Sequence, residues 1–321
     1  MTETGNFLYL SEDTLEGLGV TWPESVAAIE RLIEGHAQGK VWYAPKAVIQ
    51  PDARYMMATL AAADDPPILA VKSLLLNPRN SERGLKQINA LVTLLDSTTG
   101  LPLAVIDGNW VTAVRTAALS AVAAKQLARP SSAVAAFIGC GVQATSHLQA
   151  FAELYPLREI RAFGRGRANI DALCKAGEEL GLAAIASPAA RDAVAGADIV
   201  ISTVTLSADL APFVDAGWLK PGAFAAITDF AVPWHAAGMA TFDRIIIDDM
   251  EQEAGMESPL VEPDLVAGDL SGLVLGEVAG RSNDAERTAF IFRAHPLGDL
   301  ALAALAYQKA AQQSLGTPIG A

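Results

Sequence analysis

Val134-Ala135-Ala136-Phe137-Ile138-Gly139-Cys140-Gly141-Val142-Gln143-Ala144 decides the fold. Val134 to Ile138 form an unbroken apolar run of strand length, the pattern of a strand buried on both faces. The run breaks into G-x-G-x-x-A and then into a helical segment at 145–154. Each small residue has a task there. Gly139 permits a tight turn, Gly141 lets a pyrophosphate approach the backbone, and Ala144 keeps the helix close to the strand. The first N–H groups of the helix face the phosphates. A dinucleotide is the ligand this order of strand, loop and helix predicts.

Downstream, short apolar runs alternate with helical stretches. Strands are expected at 134–138, 160–163, 183–186, 199–204, 224–228 and 244–248, with 289–292 as a further one. That alternation is the mark of an α/β fold with a Rossmann-type, doubly wound parallel sheet. Upstream the pattern differs. A helix at 23–38 has apolar Val26, Ile29, Leu32 and Ile33 at helical spacing, and strand-like runs follow at 42–49, 55–61, 68–76 and 88–95. The turn Asp96-Ser97-Thr98-Thr99-Gly100 returns the chain into a strand at 101–106. Closely joined strands of this kind build a smaller α+β domain outside the βαβ array. Ala-rich helices are expected at 116–127 and 299–313. The domain reading is 1–115 with 299–321 for substrate binding and dimerisation, and 116–298 for the nucleotide.

The end of the second strand of the nucleotide domain selects the cofactor. NAD enzymes place an acid there, about 20 residues past the loop, for the ribose 2′-hydroxyl. This chain has Phe163-Gly164-Arg165-Gly166-Arg167 instead. Arg165 and Arg167 suit a 2′-phosphate that a carboxylate would repel, so NADP(H) is expected, with NAD as the alternative. Thr203 and Thr205, near the end of a later strand, are placed where nicotinamide contacts are expected.

Composition narrows the class. A chain of 321 residues holds two domains, and its net charge of −13 argues against nucleic acid and anionic membrane surfaces. No apolar run reaches the roughly 18 residues of a membrane span, and the acidic start is unlike a secretory signal. Cys140 and Cys174 make neither a disulfide framework nor a metal spacing, and the histidines are scattered. The expectation is a cytoplasmic protein without a metal. The acidic run at 248–253 reads as a solvated helix start. Trp42, Tyr43, Tyr55, Gln87, Asn89 and Trp234 are candidate pocket walls.

Two motifs then suggest a family. Thr112-Ala113-Val114-Arg115-Thr116-Ala117-Ala118 resembles the T-x-x-R-T-A-A motif of the ornithine cyclodeaminase/mu-crystallin family, and the glycine loop with Gln143-Ala144 resembles its G-x-G-x-Q-A. The D-x-x-T-G turn at Asp96–Gly100 and the late segment Phe292-Arg293-Ala294-His295-Pro296-Leu297-Gly298-Asp299 fit as well. The resemblance implies a homodimer built by the first domain and the C-terminal helix, with substrate held between the domains. It also implies chemistry at the α-carbon of a small carboxylate-bearing imino or amino acid.

Carried over by position, Arg115 grips the substrate carboxylate, and Lys72 binds it or relays a proton to the substrate nitrogen. Lys46 stands where the family usually has arginine, a departure that loosens a bidentate clamp. Asp229, in Thr228-Asp229-Phe230-Ala231-Val232-Pro233, is the candidate catalytic carboxylate, although it lies about two residues early against the family's pattern. Thr116, Gly139, Gly141, Val142, Gln143, Ala144 and His295 complete the expected cofactor contacts, with a helix cap as the other reading of His295. The resulting expectation is an NADP(H)-dependent imine reductase or amino acid dehydrogenase. A cyclodeaminase that recycles its NAD and releases ammonia is the alternative. A non-catalytic, crystallin-like protein that binds NADPH and a ligand is the third reading.

Overall fold

The computed structural model describes residues 6–207 and 210–320. The chain divides into two compact units, Met1–Arg115 with Pro296–Ala321, and Thr116–His295.

In the first unit, β1 (Phe7–Leu10), α1 (Glu12–Gly17) and α2 (Trp22–Ala37) precede a run of long strands. These are β2 (Val41–Ile49), β3 (Tyr55–Asp64), β4 (Pro67–Leu76), β5 (Ile88–Asp96) and β6 (Pro102–Asp107). Thr21 caps α2 through a capping box with Glu24, which satisfies N–H groups the first turn leaves unpaired. The helix α9 (Pro296–Gln313) returns to this unit, followed by β15 (Thr317–Ile319). The sheet has the order β15-β1-β6-β5-β4-β3-β2. Neighbours from β2 to β6 are antiparallel, whereas β1 runs parallel to β6. The short strands β1 and β15 at one end of this sheet lie outside the sequence expectation, because runs this brief carry little periodicity.

One face of this sheet is core. Ile68, Ala70, Lys72 and Leu74 of β4 are buried at alternate positions, as are Met57, Thr59, Ala61 and Ala63 of β3. Helix α9 packs on β3 and β4. Lys72 is therefore a charged residue on an otherwise apolar stripe.

Joining the two units, α3 spans Gly108–Leu127. It begins eight residues before the expected start at 116, so Arg115 lies inside a helix rather than ahead of one. Asp107 explains the early start, since its carboxylate accepts from the N–H groups of Asn109 and Trp110.

The second unit continues with β7 (Val134–Ile138), α4 (Val142–Leu154), β8 (Glu159–Phe163), α5 (Arg167–Glu179), β9 (Ala183–Ala186), α6 (Ala190–Val194) and β10 (Ile199–Ser202). It ends with β11 (Phe224–Ile227), β12 (Arg244–Ile247), α7 (Met250–Ala254), β13 (Val266–Asp269), α8 (Leu270–Val274) and β14 (Thr288–Ile291). Its strands are all parallel, in the order β13-β12-β14-β11-β10-β7-β8-β9. From β7 the chain winds outward through β8 and β9, then returns to place β10 on the other side. The reversal between β7 and β10 is the point where α/β sheets bind ligands, beyond the carboxyl ends of the strands. Strands β7, β10, β11 and β14 are almost wholly apolar and buried, as a sheet covered on both faces requires.

Two expectations are corrected here. The run at 248–253 does start a helix, α7, but its two leading acids are not solvated. Asp248 and Asp249 are buried, because Asp248 accepts from the N–H groups of Arg293 and Ala294, and Asp249 caps α7 at Gln252. Trp234 is no pocket wall, since it packs in the core of the second unit against Phe242. Among the described residues no helix is long and apolar enough to cross a membrane.

Candidate functional site

The glycine turn lies at the switch point. Gly139 has φ +92°, and a Cβ there would stand 2.6 Å from the Thr203 carbonyl oxygen, so the fold itself demands glycine. Thr203 donates through Oγ1 to the Gly139 carbonyl at 3.3 Å and through its N–H to Ile138 at 2.8 Å. Its hydroxyl thus braces the turn. Gly141 is different: a Cβ there would meet nothing within 4 Å. The protein's own packing gives no reason for glycine at 141, whereas a pyrophosphate lying against the amino end of α4 does. The exposed Val142 and half-buried Gln143 open that helix, and buried Ala144 sets it close to the sheet. These residues fit a dinucleotide.

A buried relay holds α4 to α3. His147 bonds through Nδ1 to the Gln143 carbonyl at 2.7 Å and through Nε2 to Ser120 Oγ at 2.9 Å. Burial pushes its imidazole down to about 4, so it is neutral. Ser120 also reaches the Thr116 carbonyl at 3.1 Å, which ties the R-T-A-A helix to the turn.

Past β8, Arg165 and Arg167 are both exposed. Arg167 already pairs with Asp171 one turn along α5, at 2.9 Å. Thr205 is exposed in the irregular segment after β10, and His295 is buried directly before the first residue of α9.

Asp229 directly follows Thr228 at the carboxyl end of β11. Its Oδ2 accepts from Ser202 Oγ at 2.5 Å and from the Val204 N–H at 2.9 Å. Its Oδ1 is buried and has no hydrogen-bond partner among the described residues. Burial, outweighing those bonds, pushes the carboxyl up to about 6. Phe230 and Ala231 follow at φ +58°, a left-handed conformation that is strained for an aromatic residue and that clusters at functional sites. The Arg293 guanidinium lies 5.8 Å from the centre of the Phe230 ring and pairs with Glu253.

In the first unit, Lys72, Arg115 and Asp299 form a second centre. Lys72 Nζ donates to Asp299 Oδ1 at 2.5 Å, Arg115 Nε lies 3.2 Å from the same oxygen, and Thr59 donates to Oδ2 at 2.8 Å. All are buried. Burial and the Arg115 charge push the Lys72 amine down to about 7, against the opposing pull of Asp299. Burial alone would raise the Asp299 carboxyl, but Lys72 and Arg115 outweigh it and hold it below the usual range. Lys46 is half-buried in a β-bulge: Ala44 pairs with Leu60 and Ala47 with Ala58, so Pro45 and Lys46 together face Thr59. Its charge acts on Lys72 in the same sense as that of Arg115.

Asp299 was missed as a site residue. The available signal was its isolation, as the sole acid in the Ala/Leu-rich helix α9. Of the proposed walls, Trp42 pairs with Ala62 on the face opposite Lys72 and Thr59, so it lines no pocket with them.

The pattern of the ornithine cyclodeaminase/mu-crystallin family matches residues 10–314. The chain belongs to that family. Ketimine reductase mu-crystallin of Rattus norvegicus is 34% identical over 66% of this chain and 66% of that one. Among solved members of the fold, the Thermococcus litoralis Δ1-pyrroline-2-carboxylate reductase in complex with NADH and L-proline has a TM-score of 0.89 at 28% identity. The match covers 97% of this chain and 99% of that one. An archaeal alanine dehydrogenase dimer with bound NAD has a TM-score of 0.86 at 26% identity, covering 98% and 99%. By their names these relatives are oxidoreductases that act on imine or amine substrates.

Proposed function

We propose that this chain is a nicotinamide-dependent oxidoreductase that reduces a small α-imino acid, or oxidises the matching amino acid, at the α-carbon. The observation that carries the reading is the buried Lys72–Arg115 pair, two cations brought together on the Asp299 carboxylate. Charged donors gathered this closely in the interior suit a carboxylate ligand. The dinucleotide, held by Gly139, Gly141, Val142, Gln143 and Ala144, with Thr116, Thr203, Thr205 and His295 as further contacts, supplies or accepts the hydride. Arg115, Lys72 and Lys46 orient the substrate through its carboxylate. A guanidinium fork and an ammonium each give charge-assisted hydrogen bonds of about 1.5–3 kcal/mol.

Asp229 holds the proton for the substrate nitrogen. An imine accepts hydride readily only once protonated, and a carboxyl near 6 exchanges a proton close to neutral pH. Its Oδ1, without a hydrogen-bond partner among the described residues, is the oxygen for that contact. The cofactor is NADP(H), on the strength of Arg165, with NAD(H) the alternative that the NADH and NAD complexes of the relatives favour.

The nucleotide unit is 116–298 and the substrate unit is 1–115 with 299–321. Two copies associate through the first unit, where Trp42, Leu60 and Leu91 are 49, 45 and 48% exposed on the face of the sheet away from α9. The archaeal relative is a dimer.

The test is a panel of cyclic and acyclic imino acids with NADPH and NADH. Stoichiometric oxidation of NADPH by one of them is expected. Ammonia release from a diamine without net change in the dinucleotide would assign a cyclodeaminase instead. Tight dinucleotide binding with no turnover of any imino or amino acid would overturn the enzymatic reading.

A further inference from the structure

Asp299 gathers groups from three other elements on one side chain: Thr59 from β3, Lys72 from β4 and Arg115 from α3. It lies in the first turn of α9, where unpaired N–H groups and the helix dipole favour an anion. Stability alone does not require this arrangement, since well-packed apolar residues replace buried ion pairs without loss. What the arrangement achieves is placement. Both cations converge on the same oxygen, Oδ1, although an ammonium carries three donors and a guanidinium five.

We propose that Asp299 is a positioning residue: its one carboxylate sets the Lys72 ammonium beside the Arg115 guanidinium as a receptor for one substrate carboxylate, and it keeps the proton on Lys72. The purpose of the receptor rests on the function proposed above, whereas the coupling of Lys72 to Asp299 does not.

The charged groups acting on Lys72 are Asp299 on α9, Arg115 on α3 and Lys46 on β2. Its ladder neighbours, Thr59 on β3 and Val92 on β5, carry no charge. Asp299 is the one group of these that favours the charged amine. Arg115, Lys46 and burial all oppose it. Without Asp299 the proton leaves at lower pH and the receptor loses the Lys72 charge.

The experiment titrates the full chain with its lysine side-chain nitrogens labelled with 15N, assigning the Lys72 signal by its loss in Lys72→Met. In the wild type Lys72 is expected to be protonated at about pH 6 and to lose its proton near neutrality. Asp299→Asn should lower that midpoint by about one pH unit or more, and Asp299→Glu should restore most of it. In an active enzyme the alkaline limb of kcat/KM should move down by the same amount in Asp299→Asn, which a purely structural loss would not produce. An unchanged midpoint in Asp299→Asn overturns the proposal, whatever the activity. Should that variant not fold, the wild type decides: a Lys72 already neutral at about pH 6 overturns the proposal, and a protonated one supports it. A chain that shows the shift but reduces no imino acid leaves the coupling standing and removes the functional reading alone.

Discussion

Asp229 and Asp299 are both buried aspartates, yet their surroundings push them in opposite directions. Asp299 faces two cations and a hydroxyl, and its carboxyl lies below the ordinary range. Asp229 has only a hydroxyl and an amide, and its carboxyl is pushed up to about 6. The difference teaches that burial alone does not set the charge of a carboxylate. Where counter-ions are supplied the group is fixed as an anion and organises others. Where they are withheld it is left poised to exchange a proton near neutral pH.

The same substitution should break this comparison most visibly. Asp229→Asn is expected to reduce kcat by about 10²–10⁴-fold, the range for losing a general acid or base, with dinucleotide affinity unchanged. Steady-state kinetics beside a dinucleotide titration checks both halves. Asp299→Asn should instead cost about 3–5 kcal/mol of stability, because it leaves buried cations without their counter-ion. Denaturant unfolding measures it. The pH dependences should differ in sign. A depressed carboxyl contributes stability above its ordinary pKa, so the Asp299→Asn penalty fades as pH falls into the acid range. A raised carboxyl costs stability above its folded pKa. Asp229→Asn should therefore be more stable than wild type by up to about 3 kcal/mol above pH 6, an advantage that vanishes below about pH 4.

Arg115→Ala sharpens the contrast at the substrate. It should lower kcat/KM by about 10–150-fold, the loss of one charged hydrogen bond, while the dinucleotide still binds. Unchanged kinetics would remove Arg115 from the site. Smaller effects separate the two glycines of the turn. Gly139→Ala should destabilise the fold through the Thr203 contact, and Gly141→Ala should weaken dinucleotide binding about tenfold with stability intact. Smallest of all, Arg165→Asp should shift preference from NADPH toward NADH, and Arg167→Asp should shift it less because Arg167 already pairs with Asp171. A constant preference ratio would argue against the 2′-phosphate assignment.

By itself the sequence determined the doubly wound unit, because buried parallel strands must be short apolar runs and a phosphate turn must be glycine-rich. It also determined Arg115, Lys72 and the turn at 139–144 as candidates, since those positions sit in local motifs. The state of these groups was decided only by tertiary structure. Asp299 meets Thr59 and Lys72 across more than two hundred residues, and Asp229 acquires its raised carboxyl from burial, which outweighs its bonds to Ser202 and Val204. The acidic run at 248–253 reads as surface for the same reason, although Asp248 is consumed by the backbone of Arg293 and Ala294. Charge and burial depend on which neighbours arrive from distant strands and helices, and local spacing does not carry that information.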